Sequence, residues 1–323
     1  MTTAPVAAVT GGTGFLGRYI VAALAGAGWK VRLLTRRDPA HPLLDGLSLE
    51  LVPGALDDPA SLSRLVRGAT VVIHAAGLVK ARSRDEFMAV NRDGSGRLAG
   101  IVAREAPQAR FILVSSQAAR SPGLSAYAAS KRAGETAAIA ALGDVPCTVL
   151  RPCVIYGPWD YEGQVLLRVA QRRIAPVTTL PEPQIAMIHA RDAAAAVVSL
   201  SRAGPSGAVF ELSDEQPEGY AWSTLLRAIG TAQGRVPHLV PMPDRIFWAS
   251  AAASDLMAAI SGRAALFGRG KISEILSRDW SSDPARQPPA ALWTPQIGLA
   301  GGLKETVAWW RQAGTTKFPP DPR

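Results

Sequence analysis

The stretch VAAVTGGTGFLGRYIVAALAGAG, residues 6–28, decides the fold class. It opens with a short apolar run typical of a strand and continues with a helical pattern. Gly11, Gly14 and Gly17 stand between the two, where the missing Cβ atoms allow a tight turn and a close approach of helix amides to a pyrophosphate. The stretch therefore predicts a dinucleotide-binding turn. The residues expected to contact the cofactor there are Gly11, Thr13, Gly14, Phe15, Leu16 and Gly17.

Short apolar runs alternate with helical patterns through the first half of the chain. The predicted strands are residues 6–10, 30–35, 48–54, 70–76, 110–116 and 147–152, and the predicted helices lie near 15–28, 59–67, 85–105 and 126–142. Strands that alternate with helices indicate parallel βαβ units. We therefore predict an α/β protein built on a doubly wound parallel sheet.

The pattern changes after residue 160, where proline-rich pieces alternate with isolated helices. This change predicts a smaller, mixed C-terminal lobe. The dinucleotide-binding domain is expected to take residues 1–158 and a returning segment at about 186–202, and the lobe to take residues 159–185 and 203–323.

The composition restricts the possible functions. Of the 323 residues 48% are hydrophobic, which indicates a globular protein with a large core. The histidines are scattered, and Cys147 and Cys153 form no CxxC pattern, so we predict no metal site and a reducing, cytoplasmic environment. No window is apolar enough for stable membrane insertion. The net charge of +9 favours an anionic ligand, but no basic run is interleaved with aromatic residues, so we predict no nucleic-acid partner.

The second predicted strand ends in LLTRRDP, which places Arg36 and Arg37 just beyond it. At this place in a dinucleotide-binding domain, a carboxylate bonds the ribose 2′-hydroxyl of NAD, whereas arginine suits the 2′-phosphate of NADP. We expect NADP(H) to be preferred, with NAD(H) as the open alternative.

A second stretch, SSQAARSPGLSAYAASK at residues 115–131, places Tyr127 and Lys131 one helical turn apart on the same face. One interpretation is an ordinary lysine whose stem covers an aromatic ring. The other is an acid/base tyrosine held beside a cation. The spacing alone does not decide between them.

Several motifs in a fixed order give the chain a family resemblance. They are TGGTGFLG (10–17), VVIHAAG (71–77), VNRDGSGRL (90–98), LVSS (113–116) with YAASK (127–131), RPCVIYGP (151–158) and MIHARDAAAAV (187–197). With these motifs the chain resembles the extended short-chain dehydrogenase/reductases, the NAD-dependent epimerase/dehydratase family, over nearly its whole length. The resemblance implies a Rossmann-type sheet and a substrate-binding C-terminal lobe.

The resemblance also implies a catalytic set. Tyr127 would exchange a proton with the substrate oxygen while hydride moves to or from nicotinamide, and Lys131 would favour the phenolate and bond the cofactor ribose. Ser116 would hydrogen-bond the reacting oxygen, with Ser115 as the alternative if the alignment is shifted by one residue. Asn91 would support Lys131.

Further cofactor contacts and a partner follow from the same resemblance. The remaining expected cofactor contacts are Leu56, Ala75, Ala76, Gly77, Pro152, Cys153 and Val154, beside Tyr127 and Lys131. The expected partners are a small-molecule substrate and a second copy of the chain, paired through the helices near 85–105 and 126–142.

Departures from the family pattern narrow the chemistry. Gln117 and Ala118 stand where the sugar 4,6-dehydratases carry an Asp-Glu pair, so no carboxylate is present for an elimination step. Val154 replaces an asparagine common in nucleotide-sugar epimerases. The Arg-Pro pair at residues 151–152 is closer to the dihydroflavonol-reductase-like and 3β-hydroxysteroid-dehydrogenase-like members of the family. We therefore predict an oxidoreductase acting on a secondary alcohol or ketone. The alternatives are a sugar epimerase with transient oxidation and a non-catalytic NADPH-binding sensor or assembly protein.

Overall fold

The computed structural model describes residues 4–261 and 268–315 and divides the chain into two compact units. The first unit comprises Met1–Pro152, Ala193–Leu212 and Arg286–Thr294. The second unit comprises Cys153–Asp192, Ser213–Ala285 and Pro295–Arg323.

The strands are short, as expected of a chain with many alternating elements. They are β1 Val6–Thr10, β2 Lys30–Thr35, β3 Leu49–Pro53, β4 Val71–His74, β5 Arg110–Val114, β6 Cys147–Pro152, β7 Val154–Tyr156, β8 Ile174–Thr178, β9 Gln184–Ile185, β10 Met187–His189, β11 Val209–Leu212, β12 Tyr220–Ala221, β13 His238–Met242 and β14 Asp279–Trp280.

Helices separate most of the consecutive strands of the first unit, although β3 follows β2 without one. They are α1 Phe15–Gly26, α2 Pro59–Val66, α3 Arg84–Phe87, α4 Gly94–Glu105, α5 Ala126–Leu142, α6 Gln164–Gln171, α7 Ala190–Ala203, α8 Trp222–Ala232, α9 Asp244–Ser261, α10 Arg269–Leu276 and α11 Leu299–Thr315. A π-helical segment, Met88–Asp93, joins α3 to α4, and a 3₁₀ turn, Gln117–Arg120, precedes α5.

The first unit is built on a seven-stranded sheet with the order β11-β6-β5-β4-β1-β2-β3. Every neighbouring pair in it is parallel. The central strands are buried along almost their whole length, because helices cover both faces of such a sheet. The predicted doubly wound sheet is confirmed.

The edge strand β11 shows where the observed units differ from the predicted division. Sequence analysis assigned residues 203–323 to the smaller lobe, whereas β11 pairs with β6 in the main sheet, with Val209 opposite Val149. The strand is four residues long and its partner lies far away in sequence. The local hydrophobic periodicity of a sequence does not predict a pairing between such distant segments.

The second unit has its own apolar core and three small sheets: β7 with β10, β12-β9-β14, and β8 with β13. Its core is formed by buried side chains from α6, α8 and α11, among them Leu167, Leu226 and Leu303. Within the described residues, no helix combines the length and the hydropathy needed to cross a bilayer. No group of three or more histidine, cysteine, aspartate or glutamate side chains that could hold a metal occurs in residues 4–261 and 268–315.

Candidate active site

The glycine turn lies between β1 and α1, at the carboxyl edge of the sheet. Gly11 has φ +75°, and a Cβ atom there would lie 2.4 Å from the backbone nitrogen of Ala76. A Cβ atom at Gly17 would lie 1.9 Å from the Gly11 carbonyl oxygen, so the helix packs directly on the turn. The first turn of α1 has no side-chain cap at Gly14. Its amides are therefore placed as a phosphate-binding helix terminus requires.

The end of β4 lies beside this turn. The Ala75 amide donates to the Thr10 carbonyl oxygen at 3.1 Å, so the loop of Ala75, Ala76 and Gly77 follows the glycine turn closely. Leu56 packs against the start of α4, and a Cβ atom at Gly94 would lie 3.0 Å from its Cδ1 atom. The structure thus brings the glycine turn and the Ala75–Gly77 loop together, whereas Leu56 lies beside the start of α4.

Asn91 lies in the π-helical segment and is buried. Its Oδ1 atom accepts from the Leu78 amide at 2.8 Å, while its Nδ2 atom donates to the Leu78 carbonyl oxygen at 3.0 Å and to Ser130 Oγ at 2.9 Å. Ser130 Oγ in turn donates to the Tyr127 carbonyl oxygen at 2.7 Å. Asn91 therefore connects the loop after Gly77 to the first turn of α5, which carries the tyrosine.

Helix α5 positions Tyr127 and Lys131. Ser125 caps the helix by accepting from the Ala128 amide at 3.0 Å, which fixes the turn that holds the tyrosine. The Tyr127 ring packs on Phe87 with ring centroids 6.0 Å apart. Lys131 Nζ donates to the Val114 carbonyl oxygen at 3.2 Å, at the end of β5.

Burial of the Lys131 ammonium shifts its titration. Burial lowers the pKa of Lys131 from 10.5 to about 8, and the negative charge of Glu135 opposes that shift. Lys131 is therefore a cation whose charge is sensitive to pH close to neutrality. A Cβ atom at Gly77 would lie 3.3 Å from Lys131 Nζ, which places the ammonium beside the Ala75–Gly77 loop.

The tandem serines have different surroundings. Ser115 is buried, and its Oγ atom donates to Glu135 Oε1 at 2.6 Å. Ser116 is half-buried, and its Oγ atom accepts from the Ala118 amide at 3.2 Å, at the start of the 3₁₀ turn. The hydroxyl of Ser115 is thus turned towards the interior of the unit, whereas that of Ser116 lies on the turn that leads towards α5.

Sequence analysis missed the buried ion pair beneath this site. Arg151 on β6 donates from Nε to Glu135 Oε1 at 2.9 Å and from Nη2 to Glu135 Oε2 at 2.6 Å. Both side chains are almost fully buried, and the pKa of Arg151 is raised, first by its hydrogen bond with Glu135. Glu135 follows Lys131 by one helical turn, and that spacing was the available signal.

His74 at the end of β4 is a second positioning group. Its Nδ1 atom lies 2.7 Å from Thr10 Oγ1 and its Nε2 atom 2.9 Å from Ser95 Oγ. Ser95 Oγ donates to the Asn91 carbonyl oxygen at 2.6 Å. Burial, followed by the Lys131 charge, lowers the pKa of His74 to about 3, so the imidazole is neutral and acts as a structural link between β1, β4 and the π-helical segment.

Arg36 and Arg37 lie just beyond β2 and are exposed. Thr35 Oγ1 donates to the Arg37 carbonyl oxygen and accepts from the Arg37 amide at 3.3 Å, so the turn is fixed by its own threonine. Among the described residues, neither guanidinium makes an ion pair with a carboxylate. Both remain available to an anion.

The remaining expected cofactor contacts lie at the boundary between the units along the chain. Pro152 ends β6 in the first unit, whereas Cys153 and Val154 begin the second. Pro152 and Cys153 are buried, and Val154 is 39% exposed. In the second unit, Trp159 has φ +68°, and its ring packs on Trp309 with centroids 5.5 Å apart.

The parallel sheet and the glycine turn are those of a dinucleotide-binding protein of the doubly wound class. The sequence profile described as the NAD dependent epimerase/dehydratase family matches residues 7–213. The chain belongs to this family. The predicted family and fold class are confirmed.

Relatives of known function agree with the enzyme type. A ceramide reductase from Caulobacter vibrioides is 46% identical over 310 residues, which cover 96% of this chain and 95% of the relative. The 4-hydroxy-2-methyl-3-oxo-4-farnesyl-3,4-dihydroquinoline-1-oxide ketoreductase of Stigmatella aurantiaca is 28% identical over 253 residues, with 71% of this chain and 75% of the relative covered. The chain is an NAD(P)-dependent oxidoreductase of the extended short-chain dehydrogenase/reductase type, and the predicted enzyme type is confirmed.

Solved structures share the fold. The dTDP-glucose 4,6-dehydratase of Bacillus anthracis in complex with NAD has a TM-score of 0.73 at 17% identity, with 97% of this chain and 98% of that chain covered. The UDP-N-acetylglucosamine 4-epimerase of Bacillus cereus has a TM-score of 0.71 at 17% identity, with 99% of each chain covered. At these identities the likeness establishes the fold alone.

Proposed function

We propose that the chain is an NADP(H)-dependent reductase that converts the ketone of a ceramide-type lipid into a secondary alcohol. The observation that carries this proposal is the 46% identity to a ceramide reductase, which extends over 96% of this chain and so includes the second unit. A ceramide-type lipid is a long-chain amino alcohol acylated on nitrogen. Its carbinol carbon is a centre that hydride transfer interconverts with a ketone.

The residues of the first unit have the chemistry this reaction needs. When bound, the nicotinamide cofactor supplies the hydride that reaches the carbonyl carbon. Tyr127 donates its phenolic proton to the carbonyl oxygen, and Ser116 donates a hydrogen bond to the same oxygen. The proton lost by Tyr127 is replaced from solvent, so one ketone, one reduced cofactor and one proton give one alcohol and one oxidised cofactor.

Lys131 and Asn91 support this proton transfer. The Lys131 ammonium stabilises the phenolate left on Tyr127, because an adjacent positive charge lowers the pKa of a phenol. Asn91 holds the first turn of α5 through Ser130, whose hydroxyl donates to the Tyr127 carbonyl oxygen at 2.7 Å. Ser116 is favoured over Ser115 because the Ser115 hydroxyl is engaged by Glu135 at 2.6 Å.

The remaining features of the enzyme are proposed on the same basis. Exposed Arg36 and Arg37 favour NADP(H) over NAD(H), since a 2′-phosphate has two charged donors within reach of the β2 end. The glycine turn, Leu56 and the Ala75–Gly77 loop hold the rest of the cofactor, and residues 152–154 face its nicotinamide half. Cys147 and Cys153 are buried thiols, which is consistent with a reducing cytoplasm.

A homodimer formed through α4 and α5 completes the proposal. Ile139 on α5 is 49% exposed although it is apolar, so the outer face of this helix offers a contact. The inner face of α5 packs on α4 of the same chain, because a Cβ atom at Gly96 would lie 3.4 Å from the Ala137 Cβ atom.

The experiment that tests the function supplies the purified protein with NADPH and a synthetic N-acyl amino ketone, with UDP-glucose as the comparison substrate. The proposal predicts that NADPH is consumed in a one-to-one ratio with the alcohol formed from the ketone. Conversion of UDP-glucose to an epimer without net cofactor consumption would establish the epimerase instead. Binding of NADPH without turnover of either substrate would favour the non-catalytic sensor.

A further inference from the structure

Between residues 246 and 257, helix α9, Asp244–Ser261, presents an uncharged face to solvent. The members of this face recur at helical spacing and are all exposed: Ile246, Ala249, Ser250, Ala253, Leu256 and Met257. The large side chains among them are 43% exposed at Ile246, 64% at Leu256 and 71% at Met257. The opposite side carries Ala251, which is fully buried.

An ordinary surface helix turns its apolar stripe to the core and its charges to water, whereas α9 also turns apolar side chains to water. The one polar side chain on the exposed face does not change this conclusion. Ser250 Oγ donates to the Phe247 carbonyl oxygen at 2.7 Å, so the helix itself satisfies its hydroxyl. A contiguous exposed apolar face of this kind marks an interaction surface.

The surroundings of the face match a lipid–water interface. Trp248, 41% exposed, flanks the stripe, and tryptophan is enriched where an apolar medium meets water. Arg245 is exposed next to Ile246, and the whole chain carries a net charge of +9. A positive protein with an apolar helical stripe is complementary to a bilayer that contains anionic headgroups.

We propose that the exposed face of α9 docks on the surface of an anionic lipid bilayer and holds the enzyme where its substrate is dissolved. This inference rests on the proposed function, because a long-chain N-acyl amino ketone partitions into the bilayer. The helix lies in the interface and does not cross it, in keeping with the absence of any spanning helix among the described residues.

A second copy of the chain fits the face less well. A stable interface between copies buries about 800 Å² on each partner. The stripe on α9 has three large apolar side chains separated by small ones, which is a narrow surface for that purpose. Insertion into headgroups needs only such a stripe and a favourable charge.

Vesicle flotation with the full chain tests the docking directly. The probes are vesicles of phosphatidylcholine with phosphatidylglycerol and vesicles of phosphatidylcholine alone. The variant Leu256→Glu places a charge on the stripe, and Leu51→Glu is its matched control, an exposed leucine, 43% exposed, on the edge strand β3. We expect the wild-type protein and Leu51→Glu to float with the anionic vesicles. We expect the affinity of Leu256→Glu for these vesicles to be lower by about tenfold or more.

Three outcomes would overturn the docking. The first is the absence of wild-type binding to anionic vesicles, and the second is unchanged vesicle binding by Leu256→Glu. The third is a change in the oligomeric state of Leu256→Glu by sedimentation velocity, which would assign the face to a contact between copies.

A short-chain, water-soluble N-acyl amino ketone separates this inference from the proposed function. If both proposals hold, Leu256→Glu reduces the soluble ketone at the wild-type rate and loses activity only on the long-chain ketone in vesicles. If the protein binds vesicles but reduces neither ketone, the docking stands and the proposed reaction fails. If it reduces both without binding vesicles, the reaction stands and the docking fails.

Discussion

The charge of Lys131 depends on its surroundings. Its ammonium donates to the Val114 carbonyl oxygen at 3.2 Å, and one turn further along α5 the carboxylate of Glu135 opposes the effect of burial on its pKa. Glu135 is itself held by Arg151 and Ser115. The charge beside the proposed acid therefore depends on a buried network formed by Glu135, Arg151 and Ser115.

The pH dependence of the reaction follows from this arrangement. Since the pKa of Lys131 is about 8, the ammonium is lost as pH rises through that value, and we expect kcat/KM for ketone reduction to fall with it. Glu135→Gln removes the charge that favours the ammonium, so the fall should move to lower pH. Glu105→Gln, on α4, is the control. If the fall of kcat/KM occurs at the same pH in Glu135→Gln as in the wild type, Lys131 does not determine that fall.

Tyr127→Phe tests the proton donor. The ring keeps its packing on Phe87, whose centroid lies 6.0 Å away, so the fold should be unchanged while the phenolic proton is lost. We expect kcat to fall by about 10²- to 10⁴-fold, with NADPH affinity by fluorescence titration close to that of the wild type. Activity retained within a few-fold would assign proton transfer to another group.

The catalytic candidates and the supporting Asn91 were accessible to sequence reasoning, whereas the supporting bonds of Glu135 and His74 were not. YAASK and LVSS contain the candidates within short local motifs, so reading along the chain finds them. The bonds from Glu135 to Arg151 and from His74 to Thr10 and Ser95 join positions distant in sequence. Such pairings depend on the order of the strands in the sheet, which one sequence does not encode locally.

At the scale of elements, the contact of α5 with the π-helical segment positions the site. A Cβ atom at Gly134 would lie 2.3 Å from the Asn91 carbonyl oxygen, so the two backbones approach as closely as a missing side chain permits. The extra residue per turn in the π-helical segment also alters which way Asn91 faces, and such segments recur at functional sites. Sequence analysis predicted one continuous helix near 85–105, because periodicity does not distinguish a π-helical turn from an α-helical one.

Gly134→Ala tests this packing. The added methyl group must displace Asn91, so we expect the free energy of unfolding to fall by about 1–3 kcal/mol and kcat to fall with it. The control is Gly100→Ala on α4, where the new Cβ atom would meet only the flexible Arg104 Nη1 atom at 3.5 Å. That control should be neutral or stabilising by about 0.5–1 kcal/mol. Chemical denaturation of both variants measures the difference, and equal stabilities would contradict the packing argument.

At the scale of the whole molecule, charge and division into units matter most. The net charge of +9 comes with two exposed arginines at the β2 end and an uncharged helical face on α9. The class of the sheet could be predicted, since alternating strands and helices indicate parallel pairing. The place of β11 could not, because an edge strand of four residues is recognised only by its partner β6.

The proposed preference for NADPH over NADH can be measured as thermal stabilisation of the whole protein. We expect NADPH to raise the melting temperature more than NADH does at equal concentration, because Arg36 and Arg37 meet the 2′-phosphate. The double variant Arg36→Ser/Arg37→Ser should lose the extra shift with NADPH and keep the shift with NADH. A wild-type protein stabilised more by NADH would contradict the assignment.

Hydride transfer to a lipid ketone is the central claim, and isotope transfer measures it most directly. The wild-type protein is incubated with a long-chain N-acyl amino ketone in mixed vesicles and with NADPH deuterated at the transferable C4 position. The account predicts an alcohol that carries one deuterium at the carbinol carbon, with one NADP⁺ formed for each molecule of product. An alcohol without deuterium, or an isomerised product with the NADPH unconsumed, would contradict it.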